Sequence, residues 1–85
     1  MTNKEKYVQA FVRALELAEG QVGEGLAYQG VENWDSVGHM GLVAELEESF
    51  GIMMDTDDII DFSSFEKGIE ILKKYGVEIE ALSIT

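Results

Sequence analysis

The chain reads as an all-α protein, a small four-helix bundle of three long helices and one short one. Three observations predict this. Apolar residues recur at helical spacing in three separate segments. The tetrads Thr2-Asn3-Lys4-Glu5 and Ser63-Ser64-Phe65-Glu66 have the S/T-x-x-E form of a capping box. Glycines stand where those segments run out. Eighty-five residues leave room for one domain with a single core, and none for a deep enclosed active site.

The tetrad at Thr2 opens the first helix, in which Tyr7, Val8, Phe11, Ala14, Leu15 and Ala18 make one buried face until Gly20 ends it. From Gly20 to Trp34 the glycines, with Val22, Leu26, Tyr28 and Val31 scattered among them, predict a long ordered loop with room for a helical turn. Trp34 is expected to plug the core. The glycines form neither G-x-x-x-x-G-K-S/T nor G-x-G-x-x-G, so a nucleotide site is not expected.

Residues 36 to 50 predict the second helix, opened by Asp35-Ser36 and stopped by Gly51. Ser36 falls at or beside the helix start, where its hydroxyl should be exposed. Projected at about 100° per residue, the segment carries two apolar stripes. Leu42, Val43, Leu46 and Phe50 form one; Val37, Met40 and Ala44, with Glu47 and Glu48 beside them, form the other. One stripe serves the helix's own core, so the second is expected to meet another protein. Gly38 and Gly41 each cost about 0.8 to 1 kcal/mol relative to alanine in a helix interior. Either they allow a partner or an attached arm close approach to the backbone or they mark drift in an exposed turn.

Ile52-Met53-Met54 is expected to return to the core. Asp55 to Phe62 then predicts the short third helix, with acids in its first turn and Ile59, Ile60 and Phe62 inward. The fourth helix opens at Ser63-Ser64, buries Phe65, Ile69 and Leu72, and stops before Gly76. The domain is therefore drawn as 1–76, and the tail 77–85 is expected to fray.

Charge narrows the function classes. The net charge is -11, and no Lys or Arg occurs from Ala14 to Glu66, where thirteen Asp and Glu do. That field repels nucleic acid and anionic membranes and draws in basic protein surfaces. With no cysteine there are neither disulfides nor Cys-based zinc sites. No apolar run reaches membrane-span length and the start is not a signal peptide, so a cytoplasmic monomer is expected.

Two chemistries fail on spacing. A calcium loop from Asp55 would place Ile59 where a side-chain oxygen is needed and Ile60 where the turn needs glycine. Asp35, Ser36 and His39 have the residue types of a hydrolytic triad, but Asp35 is not positioned to orient the imidazole while His39 activates the serine. Hence no catalytic or metal-binding residues are assigned. His39 is expected to be a partly buried residue at the start of the core stripe; the functional alternative puts it at the mouth of a cavity.

The run Asp35-Ser36-Val37, then Leu42-Val43, Leu46-Glu47-Glu48, Phe50-Gly51-Ile52 and the acidic segment Asp55 to Asp61, resembles an acyl carrier protein over roughly residues 3 to 76. The resemblance implies that family's helical bundle. It also implies that Ser36 carries a 4'-phosphopantetheine arm from coenzyme A, whose thiol holds acyl cargo as a thioester for enzymes of fatty acid or polyketide biosynthesis. A separate phosphopantetheinyl transferase would load it, with Asp35 near that enzyme's magnesium, and acyl-transferring or acyl-activating enzymes with basic docking surfaces would use it. The surface expected to meet them is Val37, Met40, Ala44, Glu47 and Glu48, with Asp57 and Asp58 as outlying charges. Val37 replaces the family's usual leucine, and Gly38 and Gly41 stand where it often has acids. An aminoacyl or peptidyl carrier, and an acidic interaction module in which Ser36 merely caps the helix, are the alternatives.

Overall fold

A computed structural model describes residues 2–23 and 25–79. Its four helices are α1 (Asn3–Leu15), α2 (Ser36–Phe50), α3 (Thr56–Asp61) and α4 (Phe65–Lys74), three long and one short. Among the described residues there is no strand, only an isolated antiparallel bridge between Ala27 and Ser64. No helix there is long and apolar enough to cross a membrane.

The capping box at Thr2 forms as expected, with the Thr2 side chain accepting the Glu5 N–H and Glu5 accepting the Thr2 N–H. The helix it opens ends at Leu15, earlier than Gly20. Glu16 turns left-handed at φ 57°, and its N–H and that of Leu17 both return to the Val12 carbonyl. This turn brings Leu17 back against the core and leaves Ala18 exposed, outside the buried face expected of it. The helical turn expected in the following loop is a 3-10 turn, Glu19–Gln21.

That loop is stitched to the start of α4. Tyr28 N–H donates to the Ser63 carbonyl at 2.9 Å, and Phe65 N–H to the Leu26 carbonyl at 2.8 Å. The same stitching explains why the second capping box does not form. Ser64 is the N-cap, its Oγ accepting the Lys67 N–H at 3.0 Å. Glu66, which would have closed the box, instead accepts the Gly25 N–H at 3.1 Å.

Tyr7, Phe11, Trp34, Phe62 and Phe65 fill the centre, all buried, and meet largely edge-to-face or tilted; Phe11 and Trp34 lie 5.4 Å apart at 83°. Trp34 is the core plug expected of it. Aromatic rings in this arrangement add to what their buried area contributes. Tyr7 donates to the Phe65 carbonyl at 2.6 Å, and burial, then the Glu66 charge, pushes its hydroxyl well above the usual tyrosine range. α4 reaches this cluster because Gly68 has no side chain: a Cβ there would overlap the Tyr7 hydroxyl and the Phe62 ring.

α2 packs against α1 and buries Leu42, Val43 and Leu46, and Gly51 ends it in the left-handed region at φ 65°. In the segment after it Met54 is buried and Ile52 packs against the core, as expected, while Met53 is exposed. The domain also extends beyond residue 76. Val77 is buried, its N–H donates to the Leu72 carbonyl, Asn3 Nδ2 donates to the Glu78 carbonyl, and Ile79 packs on the core. The expectation of fraying is thus wrong for residues 77–79; residues 80–85 lie outside those described.

Candidate functional site

Ser36 is exposed, as the first residue of α2. It does not cap that helix. Asp35 does, its Oδ1 accepting the Gly38 N–H at 2.9 Å while its carbonyl accepts the His39 N–H at 2.8 Å. The cap therefore uses Asp35 and leaves the serine hydroxyl on the outer turn. Four N–H groups at a helix start lack intrahelical partners, and the macrodipole is positive there, so the position favours an anion.

Gly38 has a definite structural reason. A Cβ on it would collide with the Asn33 carbonyl oxygen and crowd Leu15. The close approach to the Gly38 backbone is made from within the domain, by Asn33, and not by the partner or attached arm weighed from sequence; Asn33 Nδ2 also donates to the Leu15 carbonyl at 2.9 Å. Gly41 meets nothing tighter than the Ala14 Cβ at 4.0 Å.

His39 is half-buried and holds two elements together. Trp34 Nε1–H lies 2.9 Å from Nδ1, and the Ile59 carbonyl lies 2.8 Å from Nε2. An indole only donates and a carbonyl only accepts, so the arrangement calls for Nδ1 bare and the proton on Nε2. Both ring nitrogens are engaged with partners other than Ser36, and Asp35 is engaged as the cap. The three residues thus lack a triad's hydrogen-bond order.

Ser36 and His39 nonetheless line one open cleft of ≈ 350 Å³, with Tyr28, Met40, Ile59, Ile60, Phe62 and Ser63. Its walls are mostly apolar or aromatic and come from the loop, α2 and α3. His39 is thus partly buried, as expected, and also stands in the wall of this cleft.

The second stripe of α2 is exposed at Val37 (81%), Met40 (56%) and Ala44. Glu48 is exposed at its far end, and Asp57 on α3 is exposed too. Glu47 is half-buried, with Oε2 accepting the Met54 N–H at 2.8 Å, so it also ties down the turn after α2. Asp58 must be corrected. It is 6% exposed and occupied by Lys74 Nζ and the Tyr75 hydroxyl, each at 2.5 Å, so its charge is spent inside the fold. The hydrogen bond from Lys74, then that from Tyr75, lowers its pKa below the usual carboxylate range.

Ile60 is the second correction. Expected to be inward, it is 73% exposed at the cleft. Adjacent helical residues point about 100° apart, so Ile59 and Ile60 cannot both follow Phe62 inward, and the i, i+3 pair Ile59 and Phe62 takes the inner face. Applying that periodicity to a six-residue helix would have found it. Tyr28 and Ser63, also in the cleft, had no such signal; the pairing of the loop with the start of α4 brings them there.

Among the described residues no group of three or more His, Asp or Glu could hold a metal ion. The stretch tested for calcium is occupied by α3 and the opening of α4. Compared with protein-family models, curated proteins and solved structures, the chain has no significant match.

Proposed function

We propose that the protein is a carrier, bearing a 4'-phosphopantetheine arm on Ser36 and presenting acyl groups to partner enzymes. The observation that carries this reading is the placing of Ser36: an exposed hydroxyl on the first turn of α2, relieved of the capping role by Asp35, at the lip of an apolar cleft. The residues suit the group. A phosphodiester at that position would meet the positive end of the helix and backbone N–H groups not already taken by Asp35.

Loading would form a bond between Ser36 Oγ and the pantetheine-linked phosphorus of coenzyme A. The phosphoanhydride bond breaks, 3',5'-adenosine bisphosphate leaves, and the hydroxyl proton goes to a base. Neither ring nitrogen of His39 faces that hydroxyl as an acceptor, so the base belongs to the transferase. The thiol of the bound arm supplies thioester chemistry. The chain itself supplies tethering, which raises effective concentration, and the surface by which partners find it.

Intact mass after incubation with coenzyme A and a broad-specificity phosphopantetheinyl transferase tests this. The expected result is a gain of one phosphopantetheinyl group, absent in Ser36→Ala. No gain, under conditions where a known carrier is loaded, would leave an acidic interaction module as the reading.

A further inference from the structure

Only one neutral form of His39 satisfies both of its side-chain hydrogen bonds. Nδ1 must be bare to accept the Trp34 N–H at 2.9 Å, and Nε2 must carry the proton given to the Ile59 carbonyl at 2.8 Å. An added proton can go only to Nδ1, where it sets two N–H donors against each other. Trp34 is held in place: it is fully buried and meets Phe11 and Phe62 edge-on. Its N–H would be left without an acceptor, which is costly for a buried donor. His39 has room to move, being half-buried in the wall of an open cleft. Nor does a charge hold an imidazolium where it stands. On the segments packed around the ring, the ionisable groups are Tyr28 and Glu32 in the loop, Asp35 at the start of its own helix, and Asp57, Asp58 and Asp61 on α3. Tyr28 meets it only through its ring, at 5.5 Å. Asp35 accepts the Gly38 N–H, Asp58 is held by Lys74 and Tyr75, and Glu32, Asp57 and Asp61 are exposed. Among the described residues no carboxylate pairs with the imidazole.

We infer that His39 is a proton-operated latch on α3. Neutral, it clasps the Trp34 indole and the Ile59 carbonyl at once. Protonated, it turns away from the indole into the cleft and lets the Ile59 carbonyl go. α3 has six residues, too few to hold its shape alone, and the side chain of Asp58 joins it to Lys74 and Tyr75, not to α2. Release of the Ile59 carbonyl therefore loosens α3 and widens the cleft beside Ser36, whatever that serine carries. The latch works in a range of its own. Imidazoles change charge between about pH 8 and 5, whereas Asp58 gives up its partners only below the ordinary aspartate value, about 3.9.

Nuclear magnetic resonance of the full, unmodified chain from about pH 8 to 5 tests this. At the upper end, nitrogen-15 shifts of the imidazole should show Nδ1 bare and Nε2 protonated. As the ring takes up its proton, protection factors of the Trp34 indole N–H and of amides 56–61 should fall together. The fall should be about fivefold to tenfold, the order of one hydrogen bond's net contribution, and share the midpoint of the ring titration. His39→Gln offers an acceptor and a donor that do not titrate, and should show no such step. Three results would overturn the latch: a ring that protonates while protection holds, a ring still neutral at about pH 5, or a step that persists in His39→Gln. The first two are read on the wild-type chain and do not depend on the variant folding.

Discussion

Two glycines three residues apart on α2 illustrate how local the determinants of this site are. Gly38 is held against the Asn33 carbonyl and Leu15, while Gly41 faces only Ala14 at an ordinary van der Waals distance. Gly38→Ala should therefore destabilise the fold, by about 1 to 3 kcal/mol for a methyl forced into packed backbone. Gly41→Ala should stabilise it, by up to about 1 kcal/mol, as alanine restricts the unfolded chain and favours helix. Urea denaturation of the two variants checks this, and effects of the same sign would refute it. From sequence the two glycines looked alike, because what separates them is a carbonyl five residues upstream of Gly38 that only the folded chain brings near. Asp35 and Ser36 were closer to legible. The helix start and the exposure of Ser36 followed from pattern, whereas which of the two caps the helix depends on side-chain geometry that spacing does not encode.

Among the elements, α3 is too short to be stable alone and is held by its neighbours. His39 ties its Ile59 carbonyl to α2, and Asp58 ties it to Lys74 on α4 and to Tyr75 just beyond. The latter tie should give α3 a pH window. The folded-state pKa of Asp58 is lowered by its hydrogen bonds to Lys74 and Tyr75, so its contribution is complete above the ordinary aspartate value, about 3.9, and fades as pH falls through the lowered one. Lys74 and Tyr75 are raised chiefly by Asp58, so theirs is complete below about 10 and fades as pH rises through the raised values. Protection factors in residues 56–61, the exchange rates corrected for the intrinsic pH dependence of amide exchange, should accordingly fall at the acid end, and Asp58→Asn should abolish much of that acid dependence; a variant with the wild-type acid profile would contradict the assignment. The existence of all four helices was readable from apolar period and capping residues. The end of α1 was not, since Glu16 in a left-handed turn carries no glycine signature, and Leu17 is drawn back by packing instead. Nor was the burial of Asp58, whose partners lie sixteen and seventeen residues away.

At the scale of the whole molecule, a net charge of -11 is packed into one small bundle, with the basic residues confined to α1 and α4. Self-repulsion on that scale opposes compaction and is screened by salt. The melting temperature should therefore rise as sodium chloride is raised from low to physiological concentration; a flat or falling trend would show that repulsion is not a significant destabilising force. Composition disclosed the field, and periodicity the spare face of α2. Neither disclosed the cleft, which forms where a glycine-rich loop, two helix ends and the start of α4 converge. That convergence also carries its own reporters. The chain contains one indole and one imidazole, Trp34 and His39, bonded to each other, the second in the wall of the cleft beside Ser36. The emission of the one and the ring resonances of the other each report from this single address, so unlabelled protein can signal when something settles into the cleft.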